Sequence, residues 1–229
     1  MLTLTPANRL RGRQSASHDM RTQPAATYAF SDTLDMMGAP MPFGRNQEIY
    51  GDSELADYLY TVVSGAVRTY KILDDGRRQI AAFHLPGDIF GLELRDEHES
   101  SAEAVSDATI RVFKRSAVFA LAKRDGEVAR QLWEMTAREL HRAQDHMMLL
   151  IKSAQERVVS FLLEMAIRTS STNEVELPMS RLDIADYLGL TIETVSRTLT
   201  QLENGGVITV QTSRHIVLRN RLALNNLSS

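Results

Sequence analysis

The chain has 229 residues, 43% of them apolar, and a formal net charge of −3; it can fill one large or two small cores and is not a polybasic nucleic-acid coat. It contains no cysteine, which excludes disulfides, thiolate metal sites and cysteine-held iron–sulfur clusters. The sequence shows no apolar signal core and no apolar run near 18 residues, so a soluble cytoplasmic protein without a membrane partner is expected.

Residues 1–30, rich in Arg, Ser, Thr, Gln and Ala with little periodicity, read as an N-terminal arm. Residues 31–122 then read as a β-rich domain. Short strands are expected at Tyr58–Val63, Val67–Leu73, Gln79–Leu85, Ala102–Val105 and Ala108–Phe113. Gly65, the hairpin signal Asp74-Asp75-Gly76 and Pro86-Gly87-Asp88 separate them. Many short strands joined by Gly-containing turns point to a small barrel or jelly roll.

From Ser116 the period becomes helical. Ser116 is expected to cap a short helix through Ala122, and a long helix follows from about Asp125 to about Lys152. Its apolar positions make two faces. One runs through Leu132, Thr136, Leu140, Ala143, Met147 and Leu150, the other through Met135, Glu139, Arg142, His146 and Leu149. Two usable faces suggest that one covers the barrel and the other meets a second copy, the alternative being an ordinary core helix of a monomer. The seam is expected at Leu132, Met135, Glu139, Arg142, His146 and Leu149. A further helix starts near Ala154, and Val175 and Leu177 suit a short strand.

The stretch from Pro178 to Gly206 carries the most information. Ser180 with Asp183 forms a capping-box pattern, Ile184, Tyr187 and Leu188 supply an apolar side, and Gly189 suits a tight turn. Thr191 caps a second helix with Thr194 at its third position. Ile192, Val195, Leu199 and Leu202 form its buried stripe, leaving Glu193, Ser196, Arg197 and Gln201 outward. These are groove-reading chemistries: Arg197 can donate twice to guanine, Glu193 can accept from cytosine, and Ser196 can touch a thymine methyl or a phosphate. Glu193 and Arg197, four apart, could also pair with each other. Beyond Gly206 the pattern alternates as a hairpin wing whose tip, Thr212, Ser213 and Arg214, suits phosphates. Lys152, Ser180, Arg181, Thr191, Thr194 and Gln201 are the remaining phosphate or auxiliary candidates.

Several separate motifs resemble the Crp/Fnr superfamily of bacterial regulators. They are Leu59–Arg68, Asp75–Gln79, Leu85–Gly91 and Asp183–Arg197, and the last looks closest to the FixK branch. The resemblance implies an α+β chain: a double-stranded β-helix (jelly-roll) effector-type barrel over 31–122, a dimerisation helix over 123–152 and a winged helix-turn-helix over 153–229. It further implies a homodimer in which Glu193, Ser196 and Arg197 read a TTGAT-N4-ATCAA-type palindrome. RNA polymerase would be touched by barrel loops, with Asp74, Asp75, Arg77 and Arg78 as candidates. Where cyclic-nucleotide members carry Gly-Glu and Arg-Ser pairs, this chain has Gly91-Leu92-Glu93 and Ser100-Ser101. The missing arginine argues against cyclic AMP. His84, His98, His141 and His146 offer no defensible haem pairing. The expected protein is thus an effector-free activator of microaerobic and nitrogen-fixation genes, with no cofactor, no metal and no enzymatic constellation. Two alternatives stay open: a regulator of the same fold gated by a small molecule or haem, and a repressor with the same head.

Overall fold

The computed structural model describes residues 37–171 and 173–228; the arm expected over 1–30 lies outside them. Eight strands come first: β1 (Ala39–Phe43), β2 (Glu48–Tyr50), β3 (Tyr58–Ser64), β4 (Val67–Ile72), β5 (Arg78–His84), β6 (Ile89–Phe90), β7 (Ser101–Ala104) and β8 (Ala108–Lys114). They form two antiparallel four-stranded sheets, in the orders β1-β8-β3-β6 and β2-β7-β4-β5. The inner faces share one core, in which Tyr60, Val62 and Ile110 of the first sheet join Tyr50, Val67 and Ala104 of the second. This is the β-rich domain expected for the first half of the chain; among the described residues no hydrogen-bonded ladder joins the two sheets, so they do not close into a continuous barrel, and the strands β6 and β2 are only two and three residues long. Gly65 closes the β3–β4 turn at φ +80°, where a Cβ would collide with the Asp107 carbonyl oxygen, so the turn requires glycine.

Helix α1 (Arg115–Ala122) starts one residue before the expected cap; Lys114 holds the N-cap position without a side-chain bond, and Ser116 lies inside the first turn. Helix α2 (Gly126–Leu149) is capped by Asp125, whose carboxylate accepts from the Glu127 and Val128 amides. Its first half closes over the first sheet, where Val128, Leu132 and Met135 meet Leu59, Ile89 and Phe113.

Helix α3 (Ala154–Arg168) opens on a Ser153–Glu156 capping box. Strand β9 (Glu174–Glu176), helices α4 (Arg181–Leu188) and α5 (Ile192–Asn204), strands β10 (Ile208–Val210) and β11 (His215–Leu218) and helix α6 (Arg221–Leu227) complete the chain. The last three strands pair antiparallel in the order β10-β11-β9. One continuous core runs through this module and into the sheets: Phe161, Tyr187 and Val195 share it with Ile80, Phe83 and Leu85. Phe83 lies 5.2 Å from Tyr187 and 6.2 Å from Phe161, ring to ring. Among the described residues no helix is long and apolar enough to cross a membrane.

Candidate nucleic-acid interface

Local chemistry builds the two helices of the head. The Ser180 hydroxyl accepts from the Asp183 amide, and the Asp183 carboxylate accepts from the Ser180 amide at 3.0 Å, which satisfies two otherwise orphaned groups. Helix α4 ends at Gly189 in the left-handed region, φ +61°. Two residues later Thr191 caps α5, accepting from the Thr194 amide at 3.2 Å. Ile184, Tyr187 and Leu188 are buried, as are Val195, Leu199 and Leu202. Ile192, expected in the buried stripe, is instead partly exposed, and Thr198 is buried in its stead. Ile192 is the first residue of α5, one turn ahead of the point where the helix meets its neighbours.

The opposite side of α5 carries Glu193, Arg197 and Gln201, all exposed, with Ser196 half-buried beside them. The Glu193 amide and the Thr191 hydroxyl, and more weakly Arg197, hold the Glu193 carboxyl below its usual range, so it is an anion at neutral pH. The pairing of Glu193 with Arg197 does not form among the described residues; Arg197 acts on Glu193 only at a distance. The Ser196 hydroxyl accepts from Arg181 at 3.4 Å, which ties α4 to the reading face. Glu203 near the end of α5 accepts from the Val210 amide at 2.9 Å and so fixes the wing against the helix. At the wing tip Thr212 is used internally, accepting from the Arg214 and His215 amides, while Ser213 is exposed and Arg214 half-buried. Lys152 is engaged elsewhere, donating to the Ser228 carbonyl oxygen.

The structure redistributes two sets of expected residues. On α2, Leu132, Met135 and Leu149 are buried within the chain, Arg142 donates to Asp88 at 2.8 Å, Glu139 accepts from Arg142 and His146 stacks on Tyr187 at 3.9 Å. That face is therefore turned inward, and the expectation of a seam there is revised. Apolar side chains left outside on the helix include Trp133 (74% exposed), Leu140, Met147 (62%) and Met148, with Leu150 and Ile151 (76%) just beyond its end. Trp133 carries its own signal in the sequence, a seven-residue spacing to Leu140 and Met147. In the β4–β5 hairpin, Asp74, Asp75 and Arg77 are exposed and Arg77 pairs with Asp75 at 2.7 Å. Arg78 turns the other way, onto Asp183 and Asp186 of α4. Arg157, which no sequence motif marked, donates to the carbonyl oxygens of Lys152, Leu188 and Leu150; it joins the end of α2 to the end of α4.

A cleft of about 380 Å³ lies between the sheets, α2 and α3, lined among others by Tyr50, His84, Glu93, Ser100, Glu139 and Arg142. Rings pack beside it: Tyr50 stacks on His98 at 3.6 Å, Tyr60 on Phe90 at 5.1 Å and His84 on Phe90 at 5.0 Å. Burial pushes the His84 imidazole down to about 4, so it is neutral at pH 7.

Comparison with known proteins agrees with this division of labour. The Crp-like helix-turn-helix domain matches residues 156–227, and the cyclic nucleotide-binding domain matches residues 40–125. The nitrogen fixation regulation protein FixK of Azorhizobium caulinodans is 54% identical over 199 residues, 84% of this chain and 80% of that protein. FixK of Rhizobium meliloti is 41% identical over 182 residues, 79% of this chain and 83% of that one. The solved structure of FixK2 from Bradyrhizobium japonicum matches with a TM-score of 0.80 at 54% identity, covering 84% of this chain and 98% of that chain. A cyclic-nucleotide-binding-like domain joined to such a head defines a transcription regulator that binds DNA through its helix-turn-helix, and not an enzyme. The chain belongs to the Crp/Fnr superfamily, in its FixK branch.

Proposed function

We propose that the chain is a homodimeric, sequence-specific transcription activator that reads a TTGAT-N4-ATCAA-type palindrome without a small-molecule effector. The observation that carries the reading is the outward cluster of Glu193, Ser196 and Arg197 on a helix whose other side is anchored by Val195, Leu199 and Leu202. An arginine and a carboxylate one turn apart match the guanine acceptors and cytosine amino group of a G·C pair in a major groove. Arg181, Thr191, Thr194 and Gln201 of the helix pair, and Ser213 and Arg214 of the wing, serve as phosphate or auxiliary contacts. In the same reading, residues 31–122 form the effector-type domain, 123–152 the dimerisation helix and 153–229 the reading domain.

A palindrome calls for a two-fold pair of heads. Trp133, Leu140 and Met147 at seven-residue intervals, with Thr136, Ala143 and Leu150 between them, have the heptad spacing of a helix–helix seam. Large exposed apolar side chains in one stripe also favour burial against a partner. The effector-free reading is supported by the cleft. Its wall cations, Arg142 and Arg168, already pair with Asp88 at 2.8 and 2.6 Å, so neither is available to a phosphate. Ser100 and Ser101 offer no replacement charge. By likeness to relatives named for nitrogen fixation, the targets are nitrogen-fixation genes, and the resemblance to the FixK branch adds microaerobic genes to them. RNA polymerase is met through exposed loops that include Asp74, Asp75 and Arg77. The existence of the cleft favours one second reading, gating by a small molecule.

The test is direct. Protein purified free of small molecules should bind the palindromic duplex with a Kd of about 10⁻⁸ to 10⁻¹¹ M and support transcription with no additive. A requirement for any added ligand rejects the effector-free reading in favour of the gated one.

A further inference from the structure

The helix that precedes the reading helix is held by side chains from a different part of the chain. Asp183 is buried at 4% exposure in the first turn of α4. Besides its cap, its carboxylate receives Arg68 of β4 at 2.8 Å and Arg78 of β5 at 2.7 Å. Arg78 reaches Asp186 as well, at 2.8 Å, and Arg68 is backed by Glu103 of β7 at 2.9 Å. A second node has the reverse polarity. Asp88, in the turn between β5 and β6, takes Arg142 of α2 at 2.8 Å and Arg168 of α3 at 2.6 Å. Two acid–arginine nodes, one with its acid in the reading module and one with its acid in the sheet domain, thus straddle the apolar contact of Phe83 with Phe161 and Tyr187.

Adhesion and orientation have different sources here. The aromatic contact is non-directional and supplies attraction. Buried ion pairs contribute little net stability, because desolvation offsets most of their Coulomb energy, but their geometry is demanding. Arg78 presents its guanidinium to two carboxylates one helical turn of α4 apart, which constrains rotation of α4 about its own axis. Gly189 to Thr191 is a short turn, so α5 follows α4. We propose that Arg68 and Arg78 are positioning residues that set the angle of the reading head against the sheet domain and the long helix, and through it the half-site spacing that the paired heads accept. This rests on the dimeric, palindrome-reading function proposed above.

The experiment measures binding of full-length protein to duplexes with three, four and five base pairs between half-sites, and to a duplex with a single half-site. The variants are Arg78→Gln, Arg68→Met and, leaving the buried Asp183 untouched, Asp186→Asn; Arg78→Lys is the conservative control. Wild type should prefer one spacing over its neighbours by at least about tenfold. In Arg78→Gln and Asp186→Asn that preference should fall to about threefold or less, with single-half-site affinity within about twofold of wild type, and Arg78→Lys should restore part of it. Variants that melt at lower temperature yet keep the wild-type spacing preference overturn the proposal, since a structural role alone would act that way. Wild type that itself shows no preference for a palindrome overturns the underlying reading instead, so the two failures are distinguishable.

Discussion

Replacing Arg197 with alanine separates reading from folding. In the free protein Arg197 is exposed and makes no ion pair among the described residues, so its removal should change stability by less than about 0.5 kcal/mol. On DNA, a lost bidentate guanine contact costs about 1–3 kcal/mol. A symmetric pair makes the contact twice, at sites far enough apart to add, giving about 2–6 kcal/mol. At 1.4 kcal/mol per tenfold, that is a loss between about 30-fold and more than 10⁴-fold. The assay is fluorescence anisotropy at fixed salt, with the palindromic duplex, one in which both half-site guanines are exchanged, and an unrelated duplex. The variant should lose affinity for the first and little for the other two. Equal weakening on all three would make Arg197 a phosphate contact and refute the base-reading assignment.

Trp133→Glu together with Leu140→Arg should yield a folded monomer in sedimentation equilibrium, because both side chains lie outside the folded chain; a persisting dimer would place the seam elsewhere. Phe161→Ala, by contrast, removes a fully buried ring shared by sheets and head, and denaturant melts should show a loss of about 3–5 kcal/mol. Gly65→Ala should destabilise far more than Gly76→Ala: both glycines have positive φ, but a Cβ meets the Asp107 carbonyl at Gly65 and nothing within 4 Å at Gly76. Equal melting temperatures would contradict the described turn. His84, held down to about 4 by burial, binds a proton in the unfolded chain below about 6.5 but not in the folded one. Its contribution is therefore complete above that value and is lost as pH falls from about 6.5 toward 4, on the order of 3 kcal/mol in all. Chemical denaturation across this range should show the slope in wild type and a flatter one in His84→Leu.

The local grammar of the chain was legible residue by residue. Ser180 with Asp183, Gly189, Thr191 and the spacing of Val195, Leu199 and Leu202 determine two capped helices, a turn and an outward reading face, because caps, glycine angles and the helical period act within a few residues. The hairpin at Asp74-Asp75-Gly76 is equally local. Strand β1 escaped sequence reading because its Ala-Pro-Met-Pro-Phe run contains two prolines, tolerated there because the strand is an edge that pairs only with β8. The seven-residue helix α6 escaped too; it is held by burial of Leu224 and the Asn220 cap. What only the tertiary structure decided is which face of α2 is used inside the chain and where Arg78 points. Both apolar faces of that helix are plausible alone. The choice is made by Asp88 and Tyr187, which contact it from segments 54 and 41 residues away in sequence. Arg78 is drawn from solvent to carboxylates 105 and 108 residues away. Burial and charge pairing are properties of surfaces that meet, and sequence periodicity names the candidate surfaces without saying which pair will meet.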